Sequence, residues 1–166
     1  PEYMRKDLIQ MRDATNEAYE LVRSMIATAL PANSTNLATV LLAQARTVGN
    51  RSRFKVALAS YGQPQPLTPV VQQQFLYVFT EALNNVAQHA GAQNVSIQLN
   101  WEPNRLTMTL TDDGCGFDPY SPPQHGHFGL TIMYERTTDI GGTLSIKSER
   151  SRGTELTLRL PLLPAN

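Results

Sequence analysis

The chain is short of several things that would have signposted a function. It has one cysteine in 166 residues, Cys115, so no disulfide can form within it. That fits a reducing, cytoplasmic setting. It has no charge surplus, because Lys plus Arg and Asp plus Glu both total 14. No basic tail or patch is large enough to argue for nucleic acid. No apolar run approaches the roughly 18 residues needed to cross a bilayer, so no membrane contact is expected of this stretch, and no signal peptide is visible. Histidine is scarce, with three copies, and none precedes His89. No internal repeat or low-complexity tract is present. The chain begins at Pro1 without an initiator Met, so we expect a piece of something longer.

What is present suits a protein with a true core: 41% of the residues are hydrophobic and 17% are charged. Met4, Leu8, Met11, Thr15, Ala18, Val22, Met25 and Ala29 are spaced 4-3-4-3-4-3-4, a heptad seam. Nothing else in the chain offers a matching seam, so the expected partner helix lies elsewhere; the plainer alternative is a helix packed on its own domain. Pro31 to Asn36 breaks it. The rest reads as one α/β domain. A helix is expected over Leu37 to Val48, capped by Asn36 and closed by Gly49-Asn50. Strands are expected around Phe54–Leu58, Val95–Trp101, Leu106–Asp112, Leu144–Ile146 and Leu156–Leu160, where apolar and polar residues alternate. One apolar and one polar face per strand implies a mostly antiparallel sheet covered by helices on one side, a two-layer α/β sandwich.

The organising stretch is Phe79 to Ala90, a helix begun at Thr68-Pro69 and ended by Gly91. Successive helical residues turn by about 100°. Phe75, Phe79, Ala82, Leu83, Val86 and Ala90 then make an apolar face, and Glu81, Asn85, Gln88 and His89 gather on its edge. A carboxylate, an amide and an imidazole at i, i+4 and i+8 point toward one ligand; the plainer alternative is a solvated helix side. Period two places Asp112 on the inward side of its strand, where it needs a donor, and Asp113 points the other way. Gly114-Cys115-Gly116 lets the backbone bend tightly. A buried acceptor at a pocket floor suits an exocyclic amine such as that of adenine; the plainer alternative is a hairpin turn with an Asp cap.

Phe117 to Gln124 contains Pro119, Pro122 and Pro123 and reads as a stiffened cover. Gly126-His127-Phe128-Gly129-Leu130 leads into a helical run from Thr131 to Ile140, terminated by Gly141-Gly142, and could present free amides to phosphate oxygens. Gly153-Thr154 opens the last strand. His125 and His127 lack companions for a metal site, and no base is placed to activate Cys115.

Taken in order, four pieces resemble the ATP-binding domain of the GHKL superfamily, and within it the bacterial two-component sensor histidine kinases. They are Glu81-Ala-Leu-Asn-Asn85 with His89, then Asp112-Asp-Gly-Cys-Gly116-Phe117, then Gly126-His-Phe-Gly129-Leu130 with Met133, Glu135 and Arg136, and finally Gly141-Gly142, Gly153-Thr154 and Leu160-Pro161. The cover and the His-Phe-Gly-Leu sequence resemble the nitrate-sensor-like subfamily best. The resemblance implies the Bergerat-type fold over residues 32–164, with residues 1–31 the second helix of a dimerisation and phosphotransfer hairpin. It implies ATP with Mg²⁺, Asn85 holding the metal, and Glu81 orienting its water or acting as base. It brings His89 to the phosphates and Asp112 to the adenine amine. Gly114, Gly116 and Phe117 would surround the ring with Thr154, and Gly126, His127, Gly129 and Leu130 would line the phosphates. The implied partners are a phosphoacceptor helix, a response regulator and a second copy in a homodimer. Two departures stand out: Gln88 replaces a frequent Lys or Arg, and the phosphoacceptor histidine is absent, so this stretch should bind ATP without phosphorylating itself on histidine. The competing readings are an anti-sigma-type serine kinase, which needs no heptad helix; a non-catalytic nucleotide-sensing or dimerisation module, suggested by Gln88; and ATP-gated strand-passage machinery, which would need a transducer domain after Pro161.

Overall fold

Alternation becomes a sheet here because each apolar residue of a strand finds the same side covered. The computed structural model describes residues 36–118 and 128–162. The heptad stretch, most of the proline-rich cover, and Gly126 and His127 lie outside these. The described elements are helix α1 (Leu37–Ser52), strand β1 (Lys55–Tyr61), helix α2 (Pro69–Asn85) extended by a wide π turn (Val86–Ala90), strands β2 (Asn94–Glu102) and β3 (Arg105–Asp112), helix α3 (Phe128–Asp139), and strands β4 (Thr143–Ser148) and β5 (Thr154–Pro161). The sheet order is β1-β2-β3-β5-β4. β1 runs parallel to β2, and every other neighbouring pair is antiparallel. The parallel pair needs a crossover, and α2 supplies it.

The caps explain where α1 and α2 begin. The Asn36 carboxamide accepts the Ala38 N–H at 3.0 Å, and the Thr68 hydroxyl accepts the Val71 N–H at 3.3 Å, with Pro69 in the first turn. Phe75, Val78, Phe79 and Leu83 of α2 are fully buried, as are Ile97, Leu99, Leu106, Met108 and Leu158 of the sheet. Burying each such side chain is worth about 1.5–3 kcal/mol. The opposite sheet face is polar, with Ser96, Gln98, Asn100 and the threonines of β3.

Two expected boundaries move. α1 does not stop at Gly49-Asn50 but runs to Ser52 and closes on Arg53, whose φ is 65°. Gly49 is buried within the helix, where a Cβ would sit 2.8 Å from the Phe54 carbonyl oxygen. Its missing side chain admits the start of β1 and ends nothing. α3 begins at Phe128, not Thr131, so Gly129 falls in its first turn. There a Cβ would collide with the Glu81 carboxylate, and glycine lets the two helices close on each other.

Candidate functional site

Asp112 ends β3 on the inward face and is only 4% exposed. It sits opposite Val95 of β2 and Thr154 of β5. The Gly114 N–H donates to its Oδ1 at 2.8 Å. Thr154 presents its own N–H and hydroxyl to the same carboxylate. Burial pushes the carboxyl above the ordinary aspartate value, the Gly114 and Thr154 donors pull it back, and the neighbouring Asp113 charge adds to the upward push. Asp113, facing out, does different work. It accepts from Gln93 N, Asn94 N and Asn94 Nδ2 at 2.7–2.9 Å, chiefly the Asn94 amide, which holds its carboxyl below the ordinary value.

The glycine loop is tied to the end of α2. Cys115 N donates to Ala90 O at 2.8 Å, and its thiol to His89 O at 3.3 Å. A Cβ on Gly114 would collide with that same Ala90 carbonyl. Gly116 has φ of 57°, and a Cβ there would collide with the Glu149 carbonyl. Phe117 N donates to Ser148 Oγ at 2.8 Å. The loop is thus pinned on both sides at distances that only glycine permits.

These elements enclose a cavity of about 260 Å³. Glu81 and Asn85 of α2 and Gln88 and His89 of the π turn line one wall. The π turn adds one residue to the last turn. Asp112, Gly116, Phe117 and Thr154 line the facing wall, and Gly129 and Leu130 at the start of α3 close a third side. Of the expected site residues, Gly114 is the exception among those described: it is buried beside Ala90 beneath the loop and off the cavity wall. Gly126 and His127 lie outside the described residues. Sequence reasoning passed over Leu110, Ile146 and Leu156, which make the apolar floor, and Ser148, which stands behind it. Their only signal was register: each falls on the inward phase of its strand.

Chemically, the cavity joins a buried acceptor over an apolar floor to a polar helical edge. Among the described residues, no three His, Cys, Asp or Glu side chains converge to hold a metal ion. A cation here would have to take most of its ligands from a bound molecule and water. No helix among the described residues is long and apolar enough to cross a membrane.

The family model for histidine kinase-, DNA gyrase B-, and HSP90-like ATPases matches residues 70–164. The nitrate/nitrite sensor protein NarX of Escherichia coli (strain K12) is 29% identical over 158 residues, covering 94% of this chain and 26% of that protein. The signal transduction histidine-protein kinase/phosphatase UhpB of Salmonella typhimurium is 42% identical over 84 residues, 51% of this chain and 16% of its own length. This chain thus spans about a quarter of the length of NarX. Among solved structures, the histidine kinase domain of the Erythrobacter litoralis EL346 blue-light activated histidine kinase shares the fold at TM-score 0.61 and 21% identity, over 79% of this chain and 66% of that one. The Acinetobacter baumannii histidine kinase AdeS does so at 0.64 and 13%, over 93% and 81%.

Proposed function

Since the chain belongs to the family of histidine kinase-, DNA gyrase B-, and HSP90-like ATPases, we propose that it is the ATP-binding catalytic part of a sensor histidine kinase. In the intact protein, a histidine nitrogen on a separate helix attacks the γ-phosphorus of ATP, the bond to ADP breaks, and the phosphoryl group passes on to a response regulator. Residues 1–31 belong to the hairpin through which two copies pair, and residues 32–164 form the catalytic domain. The kinase is cytoplasmic at this end.

What supports this reading is that Asp112 and Asn85, from the sheet and from α2, both line one cavity. Asp112 accepts from the exocyclic amine of adenine, and Thr154 stands beside it. Gly116 and Phe117 border the base. Asn85 would hold Mg²⁺ and Glu81 would hold its water. The ion supplies neutralisation of charge on the phosphate oxygens. His89 lies at the wall's rim, exposed and able to reach a phosphate. Gly129 and Leu130 line the phosphates at the N-terminal turn of α3, where free amides favour anions; Gly126 and His127 lie outside the described residues. No observation favours the serine-kinase or non-catalytic readings over this one.

Titrating a non-hydrolysable ATP analogue with and without Mg²⁺ tests it. We expect wild type to bind more tightly with the ion, Asn85→Ala to lose that difference, and Asp112→Ala to lose binding. Equal affinity with and without Mg²⁺ in wild type, or undiminished binding by Asp112→Ala, would overturn the assignment.

A further inference from the structure

The helical wall of the cavity carries Glu81, Asn85, Gln88 and His89, and among the described residues that line the cavity there is neither lysine nor arginine. A triphosphate brings more negative charge than one Mg²⁺ cancels, and a guanidinium within reach would bind it through charge-assisted hydrogen bonds. The neighbouring helix, α1, holds one in its last turn, Arg51.

α1 and α2 run in the same direction and side by side. Each turns back within a few residues into a strand, α1 into β1 and the π turn into β2, and those strands pair in parallel with Lys55 opposite Asn94. The Lys55 N–H also donates to Gln93 O at 2.8 Å, so the two helix ends are neighbours. A hydrogen bond sets their level: Gln44 Nε2 of α1 donates to Thr80 Oγ1 of α2 at 2.5 Å. Arg51 is seven residues beyond Gln44, almost two full turns, and so stands within about 20° of the same flank. Seven residues beyond Thr80 is Ala87, and Gln88 follows. The π turn takes an extra residue for its revolution, which brings Gln88 round toward the Thr80 flank. α1 touches the π turn as well as α2. Arg51 thus stands beside Gln88, and Gln88 lines the cavity. Arg51 is exposed and shares no ion pair with any described residue. Arg46 is exposed too, but falls about 160° from Gln44, on the far side of α1.

We propose that Arg51 is a binding residue of the nucleotide site: its guanidinium reaches over the π turn past Gln88 and takes the terminal phosphates, so that the cation of this wall comes from α1 and not from α2. The inference rests on the nucleotide-binding reading above. A guanidinium offers a planar fork of donors that matches a phosphate edge, on a side chain long enough to cross between adjacent helices. In the last turn of α1, Arg51 also complements the helix dipole. That role alone acts on stability and gives no preference among ligands.

The test titrates the full chain calorimetrically with adenosine and with a non-hydrolysable ATP analogue, Mg²⁺ present. Arg51→Ala should weaken the analogue about fivefold, the upper range for an exposed charge pair, and leave adenosine unchanged. Raised salt should shrink the difference between variant and wild type. Arg51→Lys should keep most of the affinity. Arg46→Ala removes the same charge from the other flank and should change neither ligand. Adding Gln88→Lys to Arg51→Ala should recover the loss, because it returns a cation to the same place from α2. If Arg51→Ala does not fold, Arg51→Gln takes its place with the same expected direction. Adenosine weakened as much as the analogue, a loss no larger than that of Arg46→Ala, or no recovery with Gln88→Lys would overturn the proposal. Wild type that binds neither ligand would overturn the nucleotide reading itself, and this inference with it.

Discussion

The two long walls of the cavity are built on different principles. The β3–β5 side is buried and locked: Asp112 is 4% exposed, its Oδ1 takes the Gly114 N–H, and the loop beyond it is pinned to Ala90 and Ser148. The α2 side presents half-buried Glu81 and Asn85 and exposed Gln88 and His89 on a helical edge. A locked wall can read a ligand's hydrogen-bonding pattern, since misfit leaves buried groups unpaired. An open wall can hold a hydrated ion and charged phosphates, which bring their own water and tolerate adjustment. On the proposed reading, selection of the base would fall to the sheet and handling of the phosphates to the helix.

The sharpest way to break that contrast is at the locked wall. In Asp112→Asn, Oδ1 must remain the acceptor for Gly114 N–H, so the amide nitrogen faces the cavity as a donor. We expect adenine-nucleotide affinity to fall by about a hundredfold or more, as an opposed pair of buried donors would cause, with the fold retained; calorimetry and circular dichroism check both halves. Gly116→Ala attacks the loop itself. With φ of 57° and the Glu149 carbonyl in the way, it should cost about 1–3 kcal/mol of stability by chemical denaturation, whereas Asn85→Ala on the open wall should cost less.

Acidification sharpens the comparison further. The Asp112 carboxyl is raised in the folded state by burial. Its proton therefore favours the fold at low pH, and that contribution declines as pH rises from the ordinary aspartate value through the raised one, then stays level. Nucleotide binding needs the ionised form, so affinity should fall about tenfold per pH unit below the raised value. Denaturation and titration series against pH read these opposite slopes, and Asp112→Asn should flatten both. The smallest effect belongs to the open wall. Gln88→Lys should tighten the triphosphate a few-fold relative to the nucleoside, and added salt should erase the gain, as screening of an exposed charge requires.

Much of this was readable from periodicity. The strands of Val95–Trp101 and Leu106–Asp112, the caps at Asn36 and Thr68, and the inward aim of Asp112 all follow from local rules. What misled was glycine. Gly49 reads locally as a helix end and Gly129 as a residue before a helix. Each instead lies inside a helix, because a distant group, the Phe54 carbonyl or the Glu81 carboxylate, needs the room. The π turn and the parallel pairing of β1 were also hidden, since neither changes which residues alternate.

The chain's own residue order determined the elements, the apolar face of each, and the presence of one inward carboxylate, because those depend on interactions a few residues apart and on burial of an alternating pattern. Only the tertiary structure decided that Ser148, Thr154 and Asp112 form a row and that His89 and Ala90 clamp the glycine loop. Strand order and register bring together residues as far apart along the chain as Arg105 and Pro161, and no local preference encodes that choice.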